Sequence, residues 1–209
     1  LATDRYRLAL RELTWSPDRP DISEVALVRA RTLSDVAKSL GSAGDVSVAL
    51  ATGAGVDLIG FEAGGRHTTS LLVDGDYPPV RRLFPDETPI HAVVPTQALL
   101  DATKRVALVA ERNTPVRLSF TDGQVVLNAG QGDDAQASEA LEALLVGEDI
   151  SVAFNPTFLQ DGLNALGTDF VRMSFTHPNK PVEFTGQESL EGDSLSHYRY
   201  LLVPIRFAS

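Results

Sequence analysis

Leu27 to Leu40 (LVRARTLSDVAKSL), Val93 to Val106 (VVPTQALLDATKRV) and Ala153 to Leu166 (AFNPTFLQDGLNAL) align without a gap. Each passes from a short apolar strand end, through a breaker or cap, into a helix with Leu33, Leu99 or Leu159 in register. Asp35, Asp101 and Asp161 follow two positions later, and Leu40, Val106 and Leu166 five beyond those. The second and third copies resume alike, with Val116-Arg117-Leu118-Ser119-Phe120-Thr121 against Val171-Arg172-Met173-Ser174-Phe175-Thr176. The Asp positions stand 66 and then 60 residues apart, so a supersecondary module is repeated in tandem. A repeated scaffold without one odd cluster of reactive residues points to architecture as the function.

Working outward, the helices show apolar stripes. Leu33, Val36, Ala37 and Leu40 fall at i, i+3, i+4 and i+7 and stop at Gly41. Thr96 reads as an N-cap, with Leu99, Leu100, Thr103, Val106 and Ala107 as the buried face. Asn155-Pro156 reads as an N-cap and N1 pair, with Phe158, Leu159, Leu163 and Leu166 inward. Between helices lie hairpin signals: Thr52-Gly53-Ala54-Gly55, Asp122-Gly123 and the Gly130 to Asp134 turn. Gln136 to Leu145 favours helix by propensity, but the repeat requires a strand and is followed here. The unit is strand, helix, then three strands, over about 22–84, 89–147 and 149–209, so the fold class is α+β in tandem βαβββ units. Residues 1–15 resemble the tail of a preceding unit, and Leu1-Ala2-Thr3-Asp4, without an initiator Met, reads as a fragment. Pro78 to Pro89, with four prolines, bridges two domains.

The 209 residues, 43% of them hydrophobic, suffice for one or two cored domains. The absence of cysteine excludes disulfides, thiol catalysis and zinc–thiolate sites and fits a reducing cytoplasm. No apolar run reaches membrane-spanning length. Net charge is −10, with 10 basic and 13 acidic side chains in residues 1–88 and 8 and 15 in the remainder. Holding DNA by phosphate neutralisation alone normally takes a basic protein. A nucleic-acid role here must rest on a local basic face or on geometry.

No nucleophile elbow, Walker loop, dinucleotide fingerprint or zinc-protease motif occurs. His67, His91, His177 and His197 are scattered without ligand spacing, so no metal and no cofactor is expected. Asp35, Asp101 and Asp161 lie one per module, which favours structural roles, and Asp133-Asp134 reads as a solvated turn tip. Arg29, Arg31 and Lys38 in the first copy, and Lys104, Arg105 and Arg112 in the second, are candidate DNA-facing residues. Lys38 and Lys104 occupy equivalent positions three past the shared Asp, which equally allows an intrahelical Asp–Lys pair. The closing Tyr200 to Phe207 is very apolar, and Pro204 removes a donor inside it. It either seals the core or lines an exposed groove for a partner's apolar side chains. An enzyme on an α+β scaffold and an ordinary sequence-reading DNA binder remain the rival classes.

Four segments together resemble the bacterial DNA polymerase III beta subunit, the sliding clamp. They are Ala2 to Ala9, Leu72 to Pro85 (LVDGDYPPVRRLFP), Phe154 to Phe158 and Tyr200 to Arg206, in the family's order. The resemblance implies a DNA-clamp fold with helices on the inner face and antiparallel sheets outside. It implies a head-to-tail homodimeric ring of six similar domains enclosing duplex DNA. Residues 1–86 would be a partial second, central domain and 87–209 a complete third domain, the first domain being absent. The implied role is a non-catalytic, cytoplasmic and nucleoid-associated processivity factor. Its partners would be the replicative polymerase alpha subunit, the clamp loader, other polymerases and repair proteins, all docking short clamp-binding peptides. The family's groove carries over residue by residue. Thr3, Arg7, Leu8, Pro78, Arg82, Leu83 and Leu201 correspond to the deeper apolar subsite and its rim. Asn155, Phe158, Asn179, Val203, Pro204, Ile205 and Arg206 correspond to the neighbouring one, beside Pro181. Where the family usually has Gly-His this chain has Arg5-Tyr6, which brings two larger side chains into the channel between the subsites.

Overall fold

A computed structural model of the chain describes residues 1–41, 44–53, 56–109, 114–130 and 136–206. In chain order the elements are β1 (Ala2–Thr3), β2 (Arg7–Arg11), α1 (Ala30–Leu40), β3 (Ser47–Ala51), β4 (Leu58–Ala63) and β5 (Arg66–Leu71). After a 3-10 turn at Val80–Leu83 come β6 (Ile90–Pro95), α2 (Thr96–Ala107), β7 (Val116–Thr121), β8 (Gln124–Ala129), β9 (Ala137–Glu142) and β10 (Leu144–Val146). The last are β11 (Ile150–Phe154), α3 (Pro156–Leu166), β12 (Phe170–Phe175), β13 (Val182–Gln187) and β14 (Ser194–Leu202). They fall into two units: Leu1–Thr14 with Val80–Ser209, and Trp15–Pro79.

In the larger unit the second and third modules exchange strands. β6 leads into α2 but pairs with β12, which follows α3; β11 leads into α3 and pairs with β7 in return. The outcome is a seven-stranded antiparallel sheet, β1-β2-β14-β13-β12-β6-β10, and a four-stranded one, β11-β7-β8-β9. Period-two alternation turns Ala92, Val94, Val171, Met173, Phe175, Val182 and Phe184 of the first sheet to one face. With Leu118, Phe120, Leu127, Val152 and Phe154 of the second sheet, and Leu99 and Leu159 of the helices, they make one core. The strands at Ala137–Glu142 and Leu144–Val146 confirm the repeat over local propensity, because Ala137 and Leu141 alternate onto that core.

Capping agrees with expectation at one helix and departs from it at another. The Asn155 side chain accepts from the Thr157 and Phe158 N–H groups at 2.9 and 3.2 Å, and Gly167 closes α3 in the left-handed region at φ 66°. Thr96, read as an N-cap, is instead the first helical residue; Pro95 occupies the cap and no side chain caps α2. The strand exchange is the reason. The ladder holds Pro95 opposite Phe170, and the Thr96 N–H donates to the Asp169 carbonyl at 2.8 Å, so Thr96 enters the helix buried.

The smaller unit carries one module. Val36 and Leu40 of α1 pack with Ile59, Phe61 and Ala63 of the three-stranded sheet β3-β4-β5. Two expectations fail there. No strand lies between Trp15 and α1 among the described residues, and of the expected stripe Leu33 is 47% exposed and Ala37 is exposed as well. In the larger unit α2 and α3 pack on each other and their equivalents Leu99 and Leu159 are fully buried; among the described residues of its own unit α1 has no second helix to receive Leu33. One trait is common to all three modules: after its last strand the chain returns to the segment before its helix. The Val73 N–H donates to the Leu27 carbonyl at 2.8 Å, β10 pairs with β6, and the Ile205 N–H donates to the Ala153 carbonyl at 2.8 Å.

Helix α3 lies close on β14 because Gly162 has no side chain. A Cβ there would come within 2.4 Å of the Tyr200 ring, while the Tyr200 hydroxyl donates to the Phe158 carbonyl at 2.9 Å. Alanine is favoured over glycine inside a helix by about 1 kcal/mol, but overpacking a tight contact costs about 1–3 kcal/mol. Gly162→Ala therefore lowers stability, and a denaturant titration showing a midpoint equal to or above that of the parent would refute this packing account.

Candidate functional site

Three stretches far apart in sequence converge at one edge of the larger unit: the turn Thr3–Leu8, the start of α3, and the tail after β14. The tail is tied on both sides, since the Val203 N–H donates to the Tyr6 carbonyl at 2.9 Å and the Ile205 N–H to Ala153. Leu202 ends β14 opposite Val182, which sets Pro181 next to this tail.

Arg7 organises the centre. Its Nε donates to Asp4 at 2.8 Å, its Nη1 to Asp161 at 2.6 Å, and its guanidinium lies 4.3 Å from the centre of the Phe158 ring. Tyr6 stacks on the same ring, centroids 6.1 Å apart and planes 29° apart. Burial alone would lower the Arg7 pKa; the bonds to Asp161 and Asp4, with Tyr200 beside them, raise it instead. Burial likewise works to raise the Asp4 carboxyl, yet the Arg7 side chain and the Tyr6 and Arg7 N–H groups hold it below its ordinary value. Burial pushes the Tyr200 phenol up to about 12, against the opposing pull of Arg7. These groups keep one charge state across the neutral range, so the wall they form is fixed.

Two apolar patches flank this wall. Leu8, Leu10, Leu201 and Phe84 form a small buried cluster under the 3-10 turn, with Leu83 of that turn 55% exposed above it. Val203 and Ile205, 41% and 38% exposed, form the other on the tail held by Tyr6 and Ala153, and Phe158, on which Tyr6 stacks, opens α3 after the capping Asn155. Leu8 and Leu201, each 3% exposed, are thus a floor, and Leu83, Val203 and Ile205 supply the accessible surface. Pro204 is buried between its neighbours; Arg206, Arg82 and Thr3 are exposed, the Thr3 hydroxyl donating to the Arg7 carbonyl at 2.7 Å. Asn179 sits in an exposed turn, its N–H donating to His177 Nδ1. Pro78 belongs to the smaller unit and is exposed there. Asp4 and Asp161 were not singled out for this site by the sequence, because a bond spanning 154 positions leaves no trace in spacing.

The candidate DNA-facing residues separate. Arg29, Arg31 and Lys38 are exposed, Arg31 lying 3.9 Å from Asp35. Lys104 donates to Asp101 at 3.3 Å, the intrahelical alternative. Arg105 is committed to Glu139 of β9, its Nε donating at 3.0 Å, so it braces the sheet edge instead of standing free. Arg112 lies outside the described residues, as do Asp133 and Asp134. The three repeated aspartates act structurally through three different partners, Arg31, Lys104 and Arg7. Among the described residues no cluster of His, Asp and Glu could hold a metal, and no helix is long and apolar enough to cross a membrane.

The chain matches two family models: DNA polymerase III beta subunit, central domain, over residues 1–79, and DNA polymerase III beta subunit, C-terminal domain, over 81–197. It is 52% identical over 208 residues to a beta sliding clamp of Streptomyces coelicolor, covering 99% of this chain and 55% of that protein. It is 44% identical over 206 residues to the beta sliding clamp homolog GriR of Streptomyces muensis, covering 99% and 55%. Among solved structures, the DNA polymerase sliding clamp of Bacillus subtilis superimposes with a TM-score of 0.86 at 27% identity, covering 99% of this chain and 53% of that one. The chain thus spans about half the length of the relatives it matches.

Arg5 is the one non-glycine among the described residues with positive φ, at 79°. Left-handed backbone costs a residue with a Cβ about 1–2 kcal/mol, part of which glycine returns through its greater freedom when unfolded. Arg5→Gly accordingly raises stability by about 0.5–1 kcal/mol, and Arg5→Val lowers it. Thermal midpoints of the two variants moving together would remove the strain assignment.

Proposed function

The chain belongs to the bacterial DNA polymerase III beta-subunit family, the beta sliding clamps, and on that footing we propose that the whole protein is a processivity clamp. It is a non-catalytic accessory of the replicative polymerase, a head-to-tail homodimeric ring around duplex DNA in the cytoplasm. The observation that carries the reading is the order of the matches: central domain over 1–79, then C-terminal domain over 81–197, on one continuous chain. Residues 1–86 are read as part of the central domain and 87–209 as the whole C-terminal domain.

Charge supports enclosure over adhesion. Net charge is −10, and a contact made by releasing counterions weakens steeply with salt. A ring needs no such affinity, because DNA leaves only when the ring opens. Tethering then raises the polymerase's effective concentration at the primer end. For ring closure the open edge of the four-stranded sheet is favourable. β9 has no strand on its outer side among the described residues, and Leu108 nearby is 85% exposed. An unpaired edge with exposed apolar surface recruits a strand from another subunit.

The groove around Arg7 is read as the docking site for short partner peptides bearing a Gln and one or two large apolar residues. Such anchors would rest on Leu83 over the Leu8–Leu201 floor, and on Val203 and Ile205 beside Phe158. Two buried anchors contribute about 1.5–3 kcal/mol each. After ordering costs the affinity is on the order of micromolar. Contacts of that strength exchange readily, so the polymerase alpha subunit, the clamp loader and repair factors can take turns at one site.

Two measurements test this. Leu83 is exposed, so Leu83→Lys leaves the fold intact and weakens a fluorescent clamp-binding peptide more than about tenfold, roughly 1.4 kcal/mol; unchanged binding removes Leu83 from the docking site. The whole protein is retained on nicked circular DNA at high salt and slides off once the circle is linearised. Equal retention on both forms would favour a groove-reading DNA binder.

A further inference from the structure

The 3-10 turn that carries Leu83 is fastened to the face of the seven-stranded sheet turned away from the core. Strand register lays that face out in two rows: Leu8 of β2, Leu201 of β14 and Glu183 of β13, then Leu10, Arg199 and Thr185. Leu8, Leu10 and Leu201 bury the Phe84 ring, which is 6% exposed. The Arg199 guanidinium lies 4.4 Å from the centre of that ring, and its Nε is ion-paired with Glu183 in the neighbouring row. At the other end of the turn Arg81 donates to Glu12 at 2.8 Å, and the Phe84 N–H closes back on the Arg81 carbonyl at 3.3 Å. Both side chains of the Arg81–Glu12 pair are mostly exposed, and an exposed pair holds little. Past Phe84, Pro85 and Asp86 line a polar cleft with Arg172 and Ser174, and Asp86 is exposed. The anchor of the turn is therefore Phe84.

A guanidinium on an aromatic face gains most where water is thin and its plane is fixed. Glu183 meets both conditions: it is buried, and its carboxylate holds Arg199 because a buried charge left alone is costly. Leu83, 55% exposed, has no comparable hold of its own, so its place above the Leu8–Leu201 floor is inherited from its neighbour Phe84. We propose that Arg199 is a positioning residue for the peptide groove: paired with Glu183, it pins the Phe84 ring and so holds Leu83 where a partner's apolar anchor meets it. The inference rests on the peptide-docking reading above and deepens it, since Arg199 is not one of the groove residues. A turn freed from this anchor has to be ordered when a peptide binds, and that cost comes off the affinity.

The test uses the whole protein, a fluorescent peptide carrying one Gln and two Leu, and methyl NMR of labelled leucine and methionine. Arg199→Gln weakens the peptide about threefold to tenfold and shifts the Leu83 methyls, while the Met173 methyl, fully buried in the core, stays in place. Arg199→Lys keeps a cation over the ring and recovers most of the affinity. Arg199→Gln alone leaves Glu183 buried and unpaired, so Glu183→Gln combined with Arg199→Gln is the companion variant and shows the same loss. In Phe84→Leu, where the ring is gone, adding Arg199→Gln changes affinity by less than about twofold, the non-additivity of residues that act through one another. Parent-like affinity with unshifted Leu83 methyls in the neutral pair, or losses that simply add in the Phe84→Leu background, would overturn the proposal. A parent that does not bind the peptide, or Leu83→Lys binding it unchanged, sinks the docking reading instead, and the Leu83 methyls still decide whether Arg199 holds the turn.

Discussion

The exchange of β6 and β11 between two modules is the constraint on which the larger unit depends. Both sheets combine strands of the two modules, because each pre-helix strand pairs with the strand that follows the other's helix. Docking α2 on α3 and pairing β6 with β12 are therefore one event, and the core collects residues from both modules at once. The smaller unit shows what a module looks like without that exchange. Its pre-helix segment meets the end of its module through the Val73 N–H to Leu27 carbonyl bond and forms no strand among the described residues, and Leu33, equivalent to two fully buried leucines, stands half exposed.

The same constraint builds the groove. A strand that must return to its own pre-helix segment brings the tail after β14 back against Ala153, directly beside the start of α3. β2 adds to the far side of β14 and delivers Tyr6 and Arg7 to the same spot. The Arg7 ion pairs are partly exposed and worth little individually; their use is positional, since one guanidinium bridges Asp4, Asp161 and the Phe158 ring. If the groove docks a peptide as proposed, a site framed by two strand ends and a capped helix has little ordering cost of its own to meet on binding.

What the sequence made legible followed from periodicity and local chemistry. The three helices, the Asp-Gly hairpin and the Asn155-Pro156 cap each depend on residues within a few positions of one another. The repeat also overruled helix propensity at Ala137–Glu142. Reading failed where the outcome depended on a distant element. Thr96 lost its capping role to a ladder with β12, and Leu33 lost burial for want of a second helix. Arg105 went to Glu139, 34 residues on, and Arg7 to Asp161, 154 residues on. The apolar Tyr200 to Phe207 tail was legible as a candidate groove wall, but Leu8, Leu83 and Phe158 came only through resemblance, because they have no mutual spacing that marks a site.

The two polar features of the larger unit illustrate why burial and charge must be weighed together. At the groove Arg7 bonds both carboxylates beside it, Asp4 and Asp161, and the surface around it offers apolar patches. On the outer face of the sheet the balance is incomplete: Glu183 satisfies Arg199 but nothing recorded satisfies Arg172 or the Thr185 hydroxyl. Period-two alternation forces this difference. With Val171, Met173, Phe184 and Tyr200 committed to the core, Arg172, Thr185 and Arg199 must occupy the opposite face in one row. An apolar sequence there would extend the Leu8–Phe84–Leu201 cluster across the sheet; two arginines and a hydroxyl instead end that cluster at Phe84 and leave a polar cleft beside it.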